Sequence, residues 1–310
     1  MKIIFFGTGK FGLPALKKIL KSRHDIAAVV TTPDKKRGRG QNVRPTPVKA
    51  LVEQAAPDIQ VFQPEKVSDA EFIARLKTLN ADIFVIIDYG RILPKEVLTI
   101  PRKYCINLHP SLLPRYRGAA PINRALLDGE PEAGNTVIRM DERMDAGDII
   151  TQEKVTIREN EDAAWLSDVL SAHGAALVVK TLSLIESGDE KFVKQDENKA
   201  TYAPKLEKKE GKIDWASSCD AVVKKIRAMQ PWPGAFTMLD GRTLKILEAR
   251  TAVVPEDARR PGTVIDTEKF VVKASEGAVC VVRLQPEGKR PMTARAFLRG
   301  YPLKSGVVLE

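Results

Sequence analysis

The 310-residue chain, 43% hydrophobic and 29% charged, has the composition of an ordinary soluble globular protein with room for one large or two smaller domains. Its three cysteines, Cys105, Cys219 and Cys280, are widely spaced with no C-x-x-C, which argues against a disulfide framework or zinc site and for a reducing cytoplasm. The net charge is +10, and residues 205–310 hold 20 of the 50 basic but only 13 of the 40 acidic side chains, an excess that suits a polyanion or an acidic membrane face.

Residues 3–6 form an apolar strand, and Leu13, Leu16 and Leu20 follow at helical spacing over 14–21, with Pro14 in the first turn. Between them, Gly7-Thr8-Gly9-Lys10-Phe11-Gly12 satisfies G-x-G-x-x-G. Such a turn either cradles an anion at a helix N-terminus or reverses the chain without Cβ clashes. Strands at 26–31, 83–87 and 105–108 alternate with helices at 47–54 and 69–78. That rhythm predicts an α/β fold: a Rossmann-like, mostly parallel sheet with helices on both faces. Strand signals recur at 136–140 and 149–157, and a helix covers 162–186 with Gly174 as a candidate break. No apolar run is long enough for a bilayer, and the N-terminal segment reads as a strand rather than a signal peptide. The polar, weakly periodic stretch after this helix reads as a linker. A helix at 219–228 and short strands at 235–239, 243–252, 262–266, 270–274 and 279–284 then predict a smaller β-barrel, OB-like in kind. The expected division is therefore residues 1–187, a linker at 188–204 and a barrel domain at 205–310.

Two stretches stand apart. Residues 31–49 interrupt the βα rhythm with an insert, 33–49, bearing Lys35, Lys36, Arg37, Arg39, Arg44 and Lys49. A loop of that length and charge either floats in solvent or meets an anionic partner. In residues 105–129, Asn107 and His109 alternate at a strand end and so share one face. Pro110 then ends the strand, and Ser111-Leu112-Leu113-Pro114 makes a turn. Downstream, Asp145 and Asp148 lie on a turn containing Gly147. A histidine that exchanges protons near neutrality, an asparagine amide that donates to an oxyanion and a carboxylate that orients the ring fit acyl transfer. A lone histidine at a strand end is also often a satisfied structural residue, but His24 in a polar turn and His173 in a helix lack such company.

The run from Asn107 to Pro114, the following 115–122 and the later Asp145 resemble the folate-dependent formyltransferases, and within them the branch acting on methionyl-tRNA. The resemblance extends over nearly the whole chain. It takes in Phe6-Gly7-Thr8, Thr32-Pro33-Asp34, Gly38-Arg39-Gly40, Tyr89-Gly90, Ile92-Leu93-Pro94, Ile213-Asp214-Trp215, Pro231-Trp232-Pro233 and Leu284-Gln285-Pro286. It implies 10-formyltetrahydrofolate as donor and the amino group of methionyl initiator tRNA as acceptor. By the same resemblance Asn107, His109 and Asp145 are catalytic, with no metal, and Asp148 is left without a role. Asp88, Tyr89, Gly90, Ile92, Leu93, Ser111, Leu112, Leu113 and Pro114 are expected to line the folate site. Lys35, Lys36, Arg37, Arg39 and Arg44 are expected to meet tRNA, together with the basic barrel, and the glycine turn is scaffold. A cytoplasmic monomer without membrane attachment is expected. Asp88 departs from the family, which usually has a small apolar residue there, so a carboxylate either bonds the pterin or impairs its binding. The competing readings are a glycinamide ribonucleotide or sugar-nucleotide formyltransferase, and an NADP oxidoreductase using Gly7–Gly12 with Arg37 or Arg39.

Overall fold

The first strand, β1 (Lys2–Gly7), is buried along almost its whole length because a neighbour pairs on each edge and apolar layers cover both faces. The computed structural model describes residues 1–37, 42–254, 258–304 and 306–310. Two compact units result: Met1–Pro121 with Glu132–Thr156 and Ser167–Ala203, and Ile122–Pro131 with Ile157–Leu166 and Pro204–Glu310.

In the first unit, β1 leads through the glycine turn into α1 (Leu13–Leu20) and β2 (Asp25–Val30). The insert, expected as a loop, contains a hairpin of β3 (Lys35–Arg37) and β4 (Asn42–Arg44), with Lys35 opposite Arg44. The chain continues through α2 (Pro47–Ala55), β5 (Val61–Phe62), α3 (Ala70–Thr78), β6 (Ile83–Ile87), α4 (Lys95–Leu98) and β7 (Tyr104–His109). After β8 (Arg117–Gly118) comes α5 (Pro121–Asp128), nearly all of which belongs to the second unit, and then β9 (Glu132–Arg139), β10 (Ile149–Thr156) and α6 (Ala163–Ser187), whose first residues, to Leu166, also belong to the second unit. The sheet order is β10-β9-β7-β6-β1-β2-β5. The strands from β5 to β7 are parallel, β9 alone is reversed, and β10, antiparallel to β9, runs in the common direction, so the sheet is mostly parallel as expected.

Alternation along β7 sorts its side chains. Ile106 and Leu108 enter the core layer that contains Val178 and Leu182 of α6, whereas Cys105 joins the opposite layer with Phe84, Tyr89 and Val97. Asn107 and His109 therefore face the Cys105 side.

Helix α6 runs unbroken through Gly174. A Cβ there would lie 2.7 Å from Leu108 Cδ2, so the glycine admits close approach to the sheet rather than a break. This helix has the length and apolarity of a membrane span, yet Leu170, Ala175, Val178, Leu182 and Ile185 are buried within the protein.

Beyond β11 (Tyr202–Ala203), the second unit holds α7 (Cys219–Ala228), β12 (Phe236–Leu239), β13 (Arg242–Ala252), β14 (Val264–Asp266), β15 (Val271–Lys273), β16 (Ala278–Pro286), β17 (Met292–Thr293) and α8 (Ala294–Gly300). The strand order β12-β13-β16-β15-β14, with β17 on β16, forms an antiparallel six-stranded sheet of barrel-like form. The last residues bridge its two edges: Val264 N–H donates to Val307 O at 2.7 Å, and Met238 N–H to Glu310 O at 2.7 Å. That closure covers backbone groups that an open edge would expose.

Candidate active site

Strand β7 ends in Asn107 and His109 because Ile86 pairs with the first on one side and β9 pairs with both on the other. His109 is 4% exposed. Its Nε2 lies 2.9 Å from the carbonyl of Tyr116, which can only accept, so Nε2 carries a hydrogen. Its Nδ1 then faces Asp145, 3.6 Å from Oδ2. The same oxygen accepts the Gly118 N–H at 2.9 Å, which fixes the carboxylate. The structure therefore brings His109 and Asp145 together across 36 residues of sequence, while Asp148 instead pairs with Arg139. Asn107 is half-buried, and among the described residues its carboxamide has no hydrogen-bond partner. A free amide beside an imidazole with an acidic neighbour can donate to an oxyanion while the ring takes up a proton.

The Ser111-to-Pro114 turn is rigid for a reason invisible locally. Buried Thr136 on β9 donates to Ser111 O at 2.6 Å and accepts the Leu113 N–H at 3.2 Å, and Gln152 Nε2 donates to Leu113 O at 3.0 Å. Ser111 Oγ donates to Arg115 O at 2.6 Å. The polar groups of this turn are thus largely satisfied internally, and what it offers a ligand is shape. Leu113 is buried and Leu112 and Pro114 half-buried.

Of the 88–93 segment, Tyr89 and Leu93 are buried in the core, whereas Asp88, Gly90 and Ile92 are exposed, Ile92 by 80%. The segment is fastened to the glycine turn. Asp88 O accepts the N–H groups of Thr8 and Gly9 at 3.0 and 3.3 Å, and Thr8 Oγ1 donates to Tyr89 O at 2.9 Å. Tyr89 packs edge-on to Phe6, its hydroxyl has no partner among the described residues, and burial pushes it up to about 12. A Cβ on Gly9 would lie 1.8 Å from Asp88 Oδ2, so the glycine makes room for that carboxylate. Although Asp88 keeps a solvent-exposed face, desolvation on its inner side pushes its carboxyl up to about 6, against a hydrogen bond from the Phe11 backbone. A dinucleotide pyrophosphate at this turn would meet a carboxylate already in place, so the fingerprint lacks the free anion cradle that an oxidoreductase needs.

Asp34, which by position mimics a ribose-binding acid, is committed elsewhere. Lys49 Nζ bonds its Oδ2 at 2.7 Å and Gln63 Nε2 bonds its Oδ1 at 2.7 Å. Burial opposes its ionisation, but these two bonds prevail and hold its carboxyl below the usual range. Lys35 and Arg44 are exposed on the hairpin above this cluster. Arg39 lies outside the described residues, as do the side chains of Lys36 and Arg37. An open groove lined by Phe62, Gln63, Lys66, Phe72 and Arg75 touches none of Asn107, His109 or Asp145. Among the described residues, no group of three or more His, Cys, Asp or Glu could hold a metal ion.

Sequence reading missed Arg117, Gln195 and Thr136. Arg117 is 2% exposed and bonds Glu197 and Gln195, 80 and 78 residues away, so no local pattern reveals it.

Comparison with known proteins supplies the family. A model described as formyl transferase matches residues 1–182, and one described as formyl transferase, C-terminal domain, matches 205–302. The chain is 44% identical to methionyl-tRNA formyltransferase of Pelotomaculum thermopropionicum, covering 100% of this chain and 98% of the relative. It is 43% identical to that of Moorella thermoacetica, covering 100% and 99%. Among solved structures, the fold matches a sugar 3N-formyl transferase, WlaRD, crystallised with dTDP and 5-N-formyl-THF, at TM-score 0.68, 20% identity and 94% and 99% coverage. It also matches Aquifex aeolicus HypX in complex with tetrahydrofolic acid, at TM-score 0.66 and 18% identity, over all of this chain and 50% of HypX. With full-length relatives at this identity and both models matched, the chain belongs to the methionyl-tRNA formyltransferase family of formyl transferases.

Proposed function

We propose that the protein transfers the formyl group of 10-formyltetrahydrofolate to the α-amino group of methionine on initiator tRNA, acting as a cytoplasmic monomer. The observation that carries this reading is the His109–Asp145 pair beside the free Asn107 amide, in a chain matched along its length by methionyl-tRNA formyltransferases. Residues 1–187 carry the chemistry, and the basic hairpin with the 205–310 domain receives the tRNA.

The neutral amine attacks the formyl carbon and forms a tetrahedral carbon with a negatively charged oxygen. The Asn107 amide donates to that oxygen, an interaction of about 3–4 kcal/mol at comparable oxyanion sites. The amine proton passes to His109 Nδ1, directly or through a water, where the Asp145 carboxylate stabilises the added charge. Collapse breaks the bond to the folate nitrogen, which takes up the proton that His109 Nδ1 accepted, directly or through a water, and leaves formylmethionyl-tRNA with the imidazole neutral again. An amine is already a sufficient nucleophile, so the site needs to position and neutralise rather than activate. The buried turn at 111–114 and the fastened 88–93 segment supply walls for the folate, with Ile92 as an exposed apolar contact.

The test is transfer of labelled formyl from 10-formyltetrahydrofolate to methionyl-tRNA, run beside His109→Ala and Arg39→Ala. Loss of turnover in the first and weaker tRNA affinity in the second are expected. Transfer to a sugar nucleotide or small amine, with none to methionyl-tRNA, would overturn the acceptor assignment.

A further inference from the structure

The polar, weakly periodic stretch at 188–204 reads as a linker. Its residues also bond to the turns that bear His109 and Asp145. Gln195 Nε2 donates to two carbonyls of the turn bearing Asp145: Asp145 O at 2.8 Å and Gly147 O at 2.8 Å. Its Oε1 in turn accepts Arg117 Nη2 at 2.9 Å and Nε at 3.1 Å. Arg117 also grips Glu197 Oε2 at 2.8 Å and holds its carboxyl below the ordinary range.

The same segment reaches the other half of the pair. Tyr116 N–H donates to Thr201 Oγ1 at 2.9 Å, and Arg117 N–H donates to Thr201 O at 2.8 Å. Tyr202 and Ala203 pair in parallel with Arg117 and Gly118, the residues that follow Tyr116. The Tyr116 carbonyl is the acceptor for His109 Nε2, and the Gly118 N–H holds Asp145 Oδ2. One stretch of chain thus secures the backbone behind the imidazole and the backbone behind the carboxylate.

Both secured residues need it. Tyr116 has φ +62° and Asp145 has φ +51°, left-handed conformations that are unfavourable for a non-glycine residue and persist only when the surroundings impose them. Gln195 caps the Asp145 carbonyl, and Thr201 takes the Tyr116 amide.

We propose that residues 195–203 are a strap that sets the His109–Asp145 pair, with Gln195 as a positioning residue acting through Asp145 and Arg117 as its buried anchor. Formyl transfer enters only through the assay, since the strap is defined by geometry.

Two readouts test it. In a double-mutant cycle, Gln195→Ala lowers kcat about tenfold, as loss of an orienting partner does, with KM for folate and tRNA within about twofold. Gln195→Glu, which turns a carboxylate on the two carbonyls, lowers it further. In an Asp145→Asn background, Gln195→Ala then changes kcat by less than about twofold, because the route through Asp145 is already cut. An equal loss in both backgrounds, a loss confined to KM or an unchanged kcat would overturn the strap. The second readout needs no substrate: proton NMR of histidine-labelled protein, assigned with His109→Ala. The Nε2 hydrogen held by Tyr116 exchanges slowly in wild type and about tenfold faster in Gln195→Ala or, should that variant not fold, in Glu197→Gln, which loosens Arg117 from an exposed site. Unchanged exchange would overturn the proposal even if the acceptor proves not to be methionyl-tRNA. A strap confirmed by NMR in a protein inert toward methionyl-tRNA would overturn only the acceptor.

Discussion

Lys49 Nζ lies 2.7 Å from Asp34 Oδ2, and this ion pair closes the base of the basic insert. Gln63 ties both partners to Thr32, so the β3–β4 hairpin stands on a fixed foot. Asp34→Asn separates two explanations of the insert. By charge alone, removing an acid beside a polyanion site tightens tRNA binding. If the foot fixes the hairpin, binding weakens, and KM for methionyl-tRNA rises about fivefold to tenfold, as expected when a preorganised contact loosens. The folate KM stays unchanged. Tighter tRNA binding in this variant would mean the hairpin works by charge rather than placement.

In the proposed mechanism Asn107 and Asp145 divide the work at the formyl carbon, so their variants are expected to differ in kind. Asn107→Ala removes an oxyanion donor and lowers kcat about 10²-fold to 10³-fold, with little change in either KM. Asp145→Asn leaves an oxygen for the Gly118 N–H but withdraws the charge facing His109 Nδ1. Its kcat falls about 10²-fold. Steady-state kinetics with each substrate saturating in turn checks both, and a loss that appears mainly in KM would remove these residues from the chemical step.

What the sequence made legible was periodic or short-range. Alternation along β7 predicted that Asn107 and His109 share a face, and the βα rhythm predicted the sheet. The small barrel followed from short strands and glycine turns. What stayed hidden depends on partners far along the chain. Gly174 resembles a helix break until Leu108 is seen packed against it, and the glycine fingerprint resembles a phosphate cradle until Asp88 is seen in it. The segment after α6 resembles a linker because Gln195 and Thr201 are polar, and only the fold shows that their partners are Asp145 and Tyr116.

Gly147 links the turn to the sheet. A Cβ there would lie 1.8 Å from the Arg139 carbonyl oxygen, a contact with backbone that no rotamer change relieves. Gly147→Ala must therefore push the Asp145 turn away from β9. Overpacking of this kind costs about 1–3 kcal/mol of stability. A displacement near 1 Å at a reacting group lowers turnover by about 10²-fold. Gly300→Ala, where a Cβ meets nothing within 4 Å, is the matched control and leaves melting temperature and kcat unchanged. Normal kcat in Gly147→Ala would show that the turn's position does not set the rate.

Asp88 gives the protein a pH dependence whose sign follows from its place under the glycine turn. Its carboxyl is raised to about 6, so the folded protein keeps this proton to higher pH than the unfolded chain, where an aspartate titrates near its ordinary value. The group therefore destabilises the fold as pH rises from about 4 to 6, and the penalty is complete above that window. Because Asp88 retains an exposed face, solvent screening reduces the effect to about 1 kcal/mol. Asp88→Asn keeps an oxygen for the Phe11 N–H and removes the charge, so it is more stable than wild type by about 1 kcal/mol at pH 8 and equal to it near pH 4. Urea unfolding of both proteins across this range measures the difference directly, and every other titrating group cancels between them. A gap that does not change with pH, or that favours wild type at pH 8, would mean that the glycine turn welcomes the carboxylate as it would a bound anion.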